Sequence, residues 1–141
     1  MEKVYLSQSA EQTVGIGVEI SKNIKPFCCL AFRGDLGAGK TCLISGIAKG
    51  LGFNGETSSP TFALVNEYRG GRLPLFHFDM YRISSWEDLY STGFFDYLDE
   101  GGVLAVEWSE NIEKALPENT ITVTIKKTGE NSREITVEGE L

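Results

Sequence analysis

The stretch Phe27-Cys28-Cys29-Leu30-Ala31-Phe32-Arg33-Gly34-Asp35-Leu36-Gly37-Ala38-Gly39-Lys40-Thr41 constrains this chain more than any other. An apolar run enters a glycine-rich loop, and Leu43, Ile44, Ile47, Ala48 and Leu51 follow at helical spacing. Gly34, Gly39, Lys40 and Thr41 fit the pattern G-x-x-x-x-G-K-[ST]. The reading is strand, phosphate loop, helix. Glycines let the backbone double back, so that several N–H groups point into one concavity. The helix that follows adds the positive end of its dipole. In such a loop the lysine supplies charge for the β and γ phosphates and the threonine a hydroxyl for Mg²⁺.

Charge says what kind of phosphate this is. The 141 residues carry 13 basic and 20 acidic side chains, a net charge of −7. An acidic surface repels a nucleic-acid backbone, and the longest basic run is Lys126-Lys127. Phosphate is therefore expected in one local pocket rather than along a polymer. The length suits a single domain, 1–141. Met1 to Leu6 has no apolar core of signal length, and no run approaches a membrane span. Cys28, Cys29 and Cys42 form no C-x-x-C pair and are odd in number, which suits reduced, mostly buried thiols. Together these point to a cytoplasmic protein.

Around the loop, the chain reads as alternating short elements. Val4 to Leu6 is a short strand, and Ser9-Ala10-Glu11-Gln12 has capping-box spacing for a first helix. Gly15 and Gly17 weaken that helix. The loop helix stops at Gly50-Leu51-Gly52. Asn54 to Thr61 is polar and turn-rich, either a linker or a switch loop in which Ser58, Ser59 and Thr61 reach a terminal phosphate or its metal. Phe62–Arg69 and Arg72–Asp79 form a hairpin about Gly70-Gly71, with Leu73, Leu75, His77 and Asp79 on one side of the second strand and Phe76 and Phe78 on the other. Ser84 to Asp88 opens another helix. Val103 to Glu107 is a buried strand ending in an acid, Ser109 to Leu116 is helical, and Thr120–Lys126 with Arg133–Glu138 make a last hairpin. The fold class is α/β, a three-layer phosphate-loop NTPase-like fold with a mixed, largely parallel central sheet plus antiparallel hairpins.

A phosphate loop needs a carboxylate for Mg²⁺ at the end of a neighbouring strand. Asp79 and Glu107 compete for that place, and residue type alone does not rank them. We favour Glu107 for the metal and Asp79 for positioning or deprotonating the attacking water. His77, the only histidine, reads as packed or hydrogen-bonded. Arg82 pairs with an acid or a phosphate, and Trp108 is core or a wall of the nucleotide site.

Four motifs in order carry a resemblance: Gly34 to Thr41, Ser59-Pro60-Thr61-Phe62, His77-Phe78-Asp79-Met80-Tyr81-Arg82 and Glu107-Trp108-Ser109-Glu110. Together they resemble the bacterial TsaE family of small ATPases. Cys42 stands where that family usually has a second threonine. The resemblance implies that Asp35, Leu36, Gly37, Ala38 and Gly39, with Lys40, Thr41 and Cys42, cradle ATP or ADP. It implies that Thr41 and Glu107 hold Mg²⁺, that Asp79 is a catalytic or supporting acid, and that Thr61 belongs to a nucleotide-sensing loop. Trp108 is implied in the same site, and Glu11 and Thr13 near the adenine. The implied role is in forming N6-threonylcarbamoyladenosine at position 37 of tRNAs reading ANN codons. The implied partner is the TsaD–TsaB protein complex, with tRNA met only through that complex.

Two other classes use the same residues. A small-molecule kinase would employ Asp79 as base, although five arginines and no arginine-rich lid argue against it. A nucleotide-gated binding module would order Asn54–Thr61 without useful turnover.

Overall fold

The computed structural model describes residues 2–34, 39–55 and 64–141. Strand β1 (Glu2–Ser7) leads into helix α1 (Ala10–Ser21). Ser9 caps α1 as its spacing predicts: the hydroxyl accepts the Gln12 N–H at 3.1 Å, and Gln12 Oε1 accepts the Gln8 N–H at 2.6 Å. Strand β2 (Cys28–Gly34) is buried over its first five residues and precedes helix α2 (Lys40–Gly50). Gly39 enters α2 at φ 97°, a left-handed conformation that a side chain would strain.

Strands β3 (Val65–Tyr68) and β4 (Leu75–Asp79) pair antiparallel, as the hairpin reading expects. Helix α3 (Trp86–Ser91) is capped by Ser85, whose hydroxyl accepts the Asp88 N–H at 3.1 Å. Helix α4 (Phe94–Leu98), strand β5 (Val103–Glu107) and a 3-10 segment (Ser109–Ala115) follow. Strands β6 (Ile121–Lys127) and β7 (Arg133–Glu138) close the chain as an antiparallel hairpin.

The connection between β3 and β4 is wider than the Gly70-Gly71 turn alone. Arg72 explains the widening. Its N–H donates to Leu51 O at 2.7 Å, and its guanidinium donates to Ser21 O at 2.6 Å and Ile24 O at 3.1 Å. These bonds to carbonyls at and just past the ends of both helices hold this segment away from the strand ladder.

One seven-stranded sheet carries the order β1-β7-β6-β2-β5-β4-β3. Strands β2, β4, β5 and β6 run the same way, β1 runs with them, and only β3 and β7 oppose them. Helices α1 and α2 cover one face, where Leu30, Phe32, Leu75, Val103 and Val123 meet Ile20, Leu43, Ile44 and Ile47. The other face packs Cys29, Phe76, Phe78, Leu104 and Val106 against Leu89, Phe94 and Ile112. These are the two sides that alternation along β4 and β5 assigns.

Helices α1 and α2 touch backbone to backbone. A Cβ on Gly46 would fall on the carbonyl of Val14, and one on Gly17 on the carbonyl of Leu43. The helix-weakening Gly17 is thus the condition for packing α1 onto the phosphate-loop helix.

Candidate nucleotide site at the carboxyl ends of the parallel strands

Strand β2 is followed by α2 on one face of the sheet, whereas its neighbour β5 is followed by the 3-10 segment, which packs on the other face. The two connections part at the carboxyl ends of β2 and β5. That divergence is where open α/β sheets collect ligands. Gly34 ends β2 and Lys40 begins α2, and both stand at this point. Lys40 Nζ is 3.5 Å from Gly34 O and 5.8 Å from the centre of the Trp108 ring. The ammonium is thus folded back toward the end of β2 and faces an aromatic wall.

Both acids arrive at the same edge. Asp79 and Glu107 are register partners on β4 and β5. By strand alternation both side chains point to the α1–α2 face, the side of the phosphate loop helix. One oxygen of Asp79 accepts the Tyr81 N–H at 3.0 Å. One oxygen of Glu107 lies 2.6 Å from His77 Nε2. Among the described residues each carboxylate is therefore held by a hydrogen bond at one oxygen only.

The turn after β5 is built tightly. Trp108 takes a left-handed conformation at φ 58°, unusual for a bulky residue. Its ring meets Tyr81 with centroids 4.8 Å apart. Asn111 Nδ2 donates to Met80 O at 2.9 Å and Tyr81 O at 3.2 Å, and Met80 N–H donates to Glu107 O at 3.0 Å. These bonds tie the exit of β4 to the exit of β5, so the two acids share one rigid frame.

Of the residues expected here from sequence, Lys40, Asp79, Glu107 and Trp108 are brought together. Thr41 and Cys42 open α2, exposed and half-buried respectively. Glu11 lies exposed in the first turn of α1. Thr13 is buried, its hydroxyl 2.7 Å from that of Ser7 and 3.2 Å from Ser9 O, which it donates to. Asp35, Leu36, Gly37, Ala38 and Thr61, with Ser58 and Ser59 of the expected switch, lie outside the described residues. Arg82 is exposed and makes no ion pair among the described residues. Asn111 and Arg133 carried no signal in the sequence. Arg133 Nε lies 3.8 Å from where a Cβ on Gly39 would stand, which puts a second cation beside the loop.

Residues 7–135 match the family model described as threonylcarbamoyl adenosine biosynthesis protein TsaE. The chain belongs to the TsaE family. Relatives named tRNA threonylcarbamoyladenosine biosynthesis protein TsaE include one from Treponema pallidum, 39% identical over 132 residues, covering 94% of this chain and 97% of that one. Another, from Bacillus subtilis, is 42% identical over 127 residues, covering 89% and 78%. The crystal structure of YdiB from Bacillus subtilis superposes with a TM-score of 0.81 at 34% identity, covering 99% of this chain and 86% of that one. The phosphate-loop α/β fold expected from the sequence is thus the fold observed in this TsaE-family chain.

A TsaE-family site must also suit Mg²⁺ if the threonine and acid are to work as read. Among the described residues no group of three or more His, Cys, Asp or Glu side chains is placed to hold a metal alone. Mg²⁺ keeps most of its waters and takes one or two protein oxygens together with phosphate oxygens. Glu107, pinned at one oxygen, fits this donor set. The buried thiols do not compete for it. Burial pushes Cys28 up to about 11 and Cys29 up to about 12, so both stay protonated at neutral pH. Among the described residues no helix is long and apolar enough to cross a membrane.

Proposed function

We propose that this TsaE-family chain binds and slowly hydrolyses ATP in the formation of N6-threonylcarbamoyladenosine at position 37 of tRNAs reading ANN codons. It acts in the cytoplasm by docking on the TsaD–TsaB complex, and it meets tRNA only through that complex. The observation that carries the reading is the convergence of Lys40, Asp79 and Glu107 on the edge where β2 hands over to α2.

In this reading Lys40 and the loop amides hold the phosphates, while Thr41 and Glu107 hold Mg²⁺. The metal, when bound, neutralises charge on the phosphate oxygens. Asp79 orients the attacking water and draws off its proton through the oxygen not bound to Tyr81. A low intrinsic rate follows from the lack of an obvious arginine finger after the loop in the sequence, and a partner would complete the site. The net charge of −7 favours a protein partner over direct contact with RNA.

The test is a pull-down of the purified chain with TsaD–TsaB in ATP, in ADP and without nucleotide, paired with ATP turnover with and without the complex. Nucleotide-dependent capture and faster turnover are expected. Equal capture in all three conditions, with unchanged turnover, would refute the proposal.

A further inference from the structure

We infer that His77 is a positioning residue for the Glu107 carboxylate. The inference rests on the reading of Glu107 as the Mg²⁺ ligand. His77 stands midway along β4, opposite Asn66 of β3 and Ala105 of β5. Its side chain points to the α1–α2 face, as does that of Glu107 two residues beyond Ala105. The residue is 1% exposed, and Nε2 lies 2.6 Å from Glu107 Oε2. A carboxylate only accepts, so Nε2 carries the proton and donates it into this bond.

The other ring nitrogen shows that packing alone does not explain the residue. Nδ1 is buried and has no partner among the described residues. A buried polar atom left in that state costs stability, and a phenyl ring would fill the same space without that cost. What the imidazole adds is a short bond to a charged acceptor, the stronger kind of hydrogen bond. Glutamate at a strand end has three free torsions, and its oxygens would otherwise share many orientations. Pinning Oε2 leaves Oε1 as the oxygen available to a cation. Mg²⁺ tolerates little departure from octahedral geometry, so its site gains most from a ligand held still.

The test is titration calorimetry of ATP with and without Mg²⁺ on the whole chain, for wild type, His77→Gln, His77→Asn, His77→Phe and Glu107→Gln. A glutamine amide nitrogen falls near the place of Nε2, whereas an asparagine amide nitrogen falls near Nδ1, away from Glu107. The Mg²⁺-dependent gain in affinity should fall about tenfold or more in His77→Asn and His77→Phe, and His77→Gln should recover most of it. Affinity without Mg²⁺ should be the same in all three, which a merely structural role does not predict. Should His77→Phe fail to fold, the Asn and Gln pair still decides. A gain lost in Glu107→Gln but kept in His77→Asn would overturn this inference alone. A gain that survives Glu107→Gln would overturn the metal reading of Glu107, and this inference with it.

Discussion

Asp79 and Glu107 occupy the same rung of two neighbouring parallel strands. Two carboxylates at one height beside one phosphate loop invite exchange of their roles, yet their fastenings differ. Asp79 is held by a backbone N–H in the turn that follows it, and Glu107 by a side chain from the adjacent strand. The first arrangement places an acid at the mouth of the site, and the second sets an acid against the sheet.

The two roles separate by metal dependence. Lys40→Ala should weaken ATP binding about tenfold or more both with and without Mg²⁺, because a charge-assisted phosphate contact is lost either way. Glu107→Ala should weaken binding by about tenfold or more only when Mg²⁺ is present. Calorimetry under the two conditions reads both, and equal losses for Glu107→Ala would refute its metal assignment.

Asp79→Asn should leave ATP binding and the melting temperature close to wild type while turnover falls by about a hundredfold or more. Asparagine keeps an oxygen to accept the Tyr81 N–H and discards only the charge. Single-turnover hydrolysis against nucleotide affinity measures the split. Undiminished turnover would remove Asp79 from the chemistry, and undiminished tRNA modification without turnover would favour a binding module.

Glycine substitutions in the paired helices should move stability in opposite directions. Gly46→Ala should destabilise by about 3 kcal/mol, because its Cβ meets the rigid carbonyl of Val14. Gly15→Ala should stabilise by about 0.5–1 kcal/mol, since it is exposed in α1 with nothing within 4 Å of a Cβ. Urea unfolding midpoints report both, and a neutral Gly46→Ala would show that the two helices can part at small cost.

That pair also marks what the sequence could and could not convey. Strand β2 and helix α2, the Ser9 and Ser85 caps and both antiparallel strand pairs are local patterns, and each is legible because the residues that make it are neighbours in sequence. Gly17 looked only like a weakness in a helix, since its reason lies 26 residues away at Leu43. The bond between His77 and Glu107 depends on which strands pair and in what register. Arg72 reads as the first residue of a strand until the ends of α1 and α2 are seen to point at it. Nothing in the structure explains Gly15.

Alkaline pH should unfold the protein earlier than neutral pH. Burial raises Cys28 from 9.0 to about 11 and Cys29 from 9.0 to about 12, so the unfolded chain releases these protons first. Their stabilisation is complete below pH 9 and is lost as pH rises through 11 and 12. The hydrogen bond to Glu67, foremost, raises Tyr97 to about 12 and acts in the same direction. Urea midpoints from pH 8 to 11 should fall for wild type and fall less for Cys29→Ala. Parallel slopes for the two proteins would show that the thiol is not the source.

At Gly17 and Gly46 no side chain stands between the backbones of α1 and α2 to rotate aside and absorb a displacement. Helices joined this way behave as meshed gears rather than as a greased bearing. A tilt imposed on α2 at its Lys40 end should be felt by α1, and α1 is tethered through Ser7 and Ser9 to edge strand β1. A chain of direct contacts thus runs from the far border of the sheet to the Lys40 end of α2, although β7, β6 and β2 lie between them in the strand order.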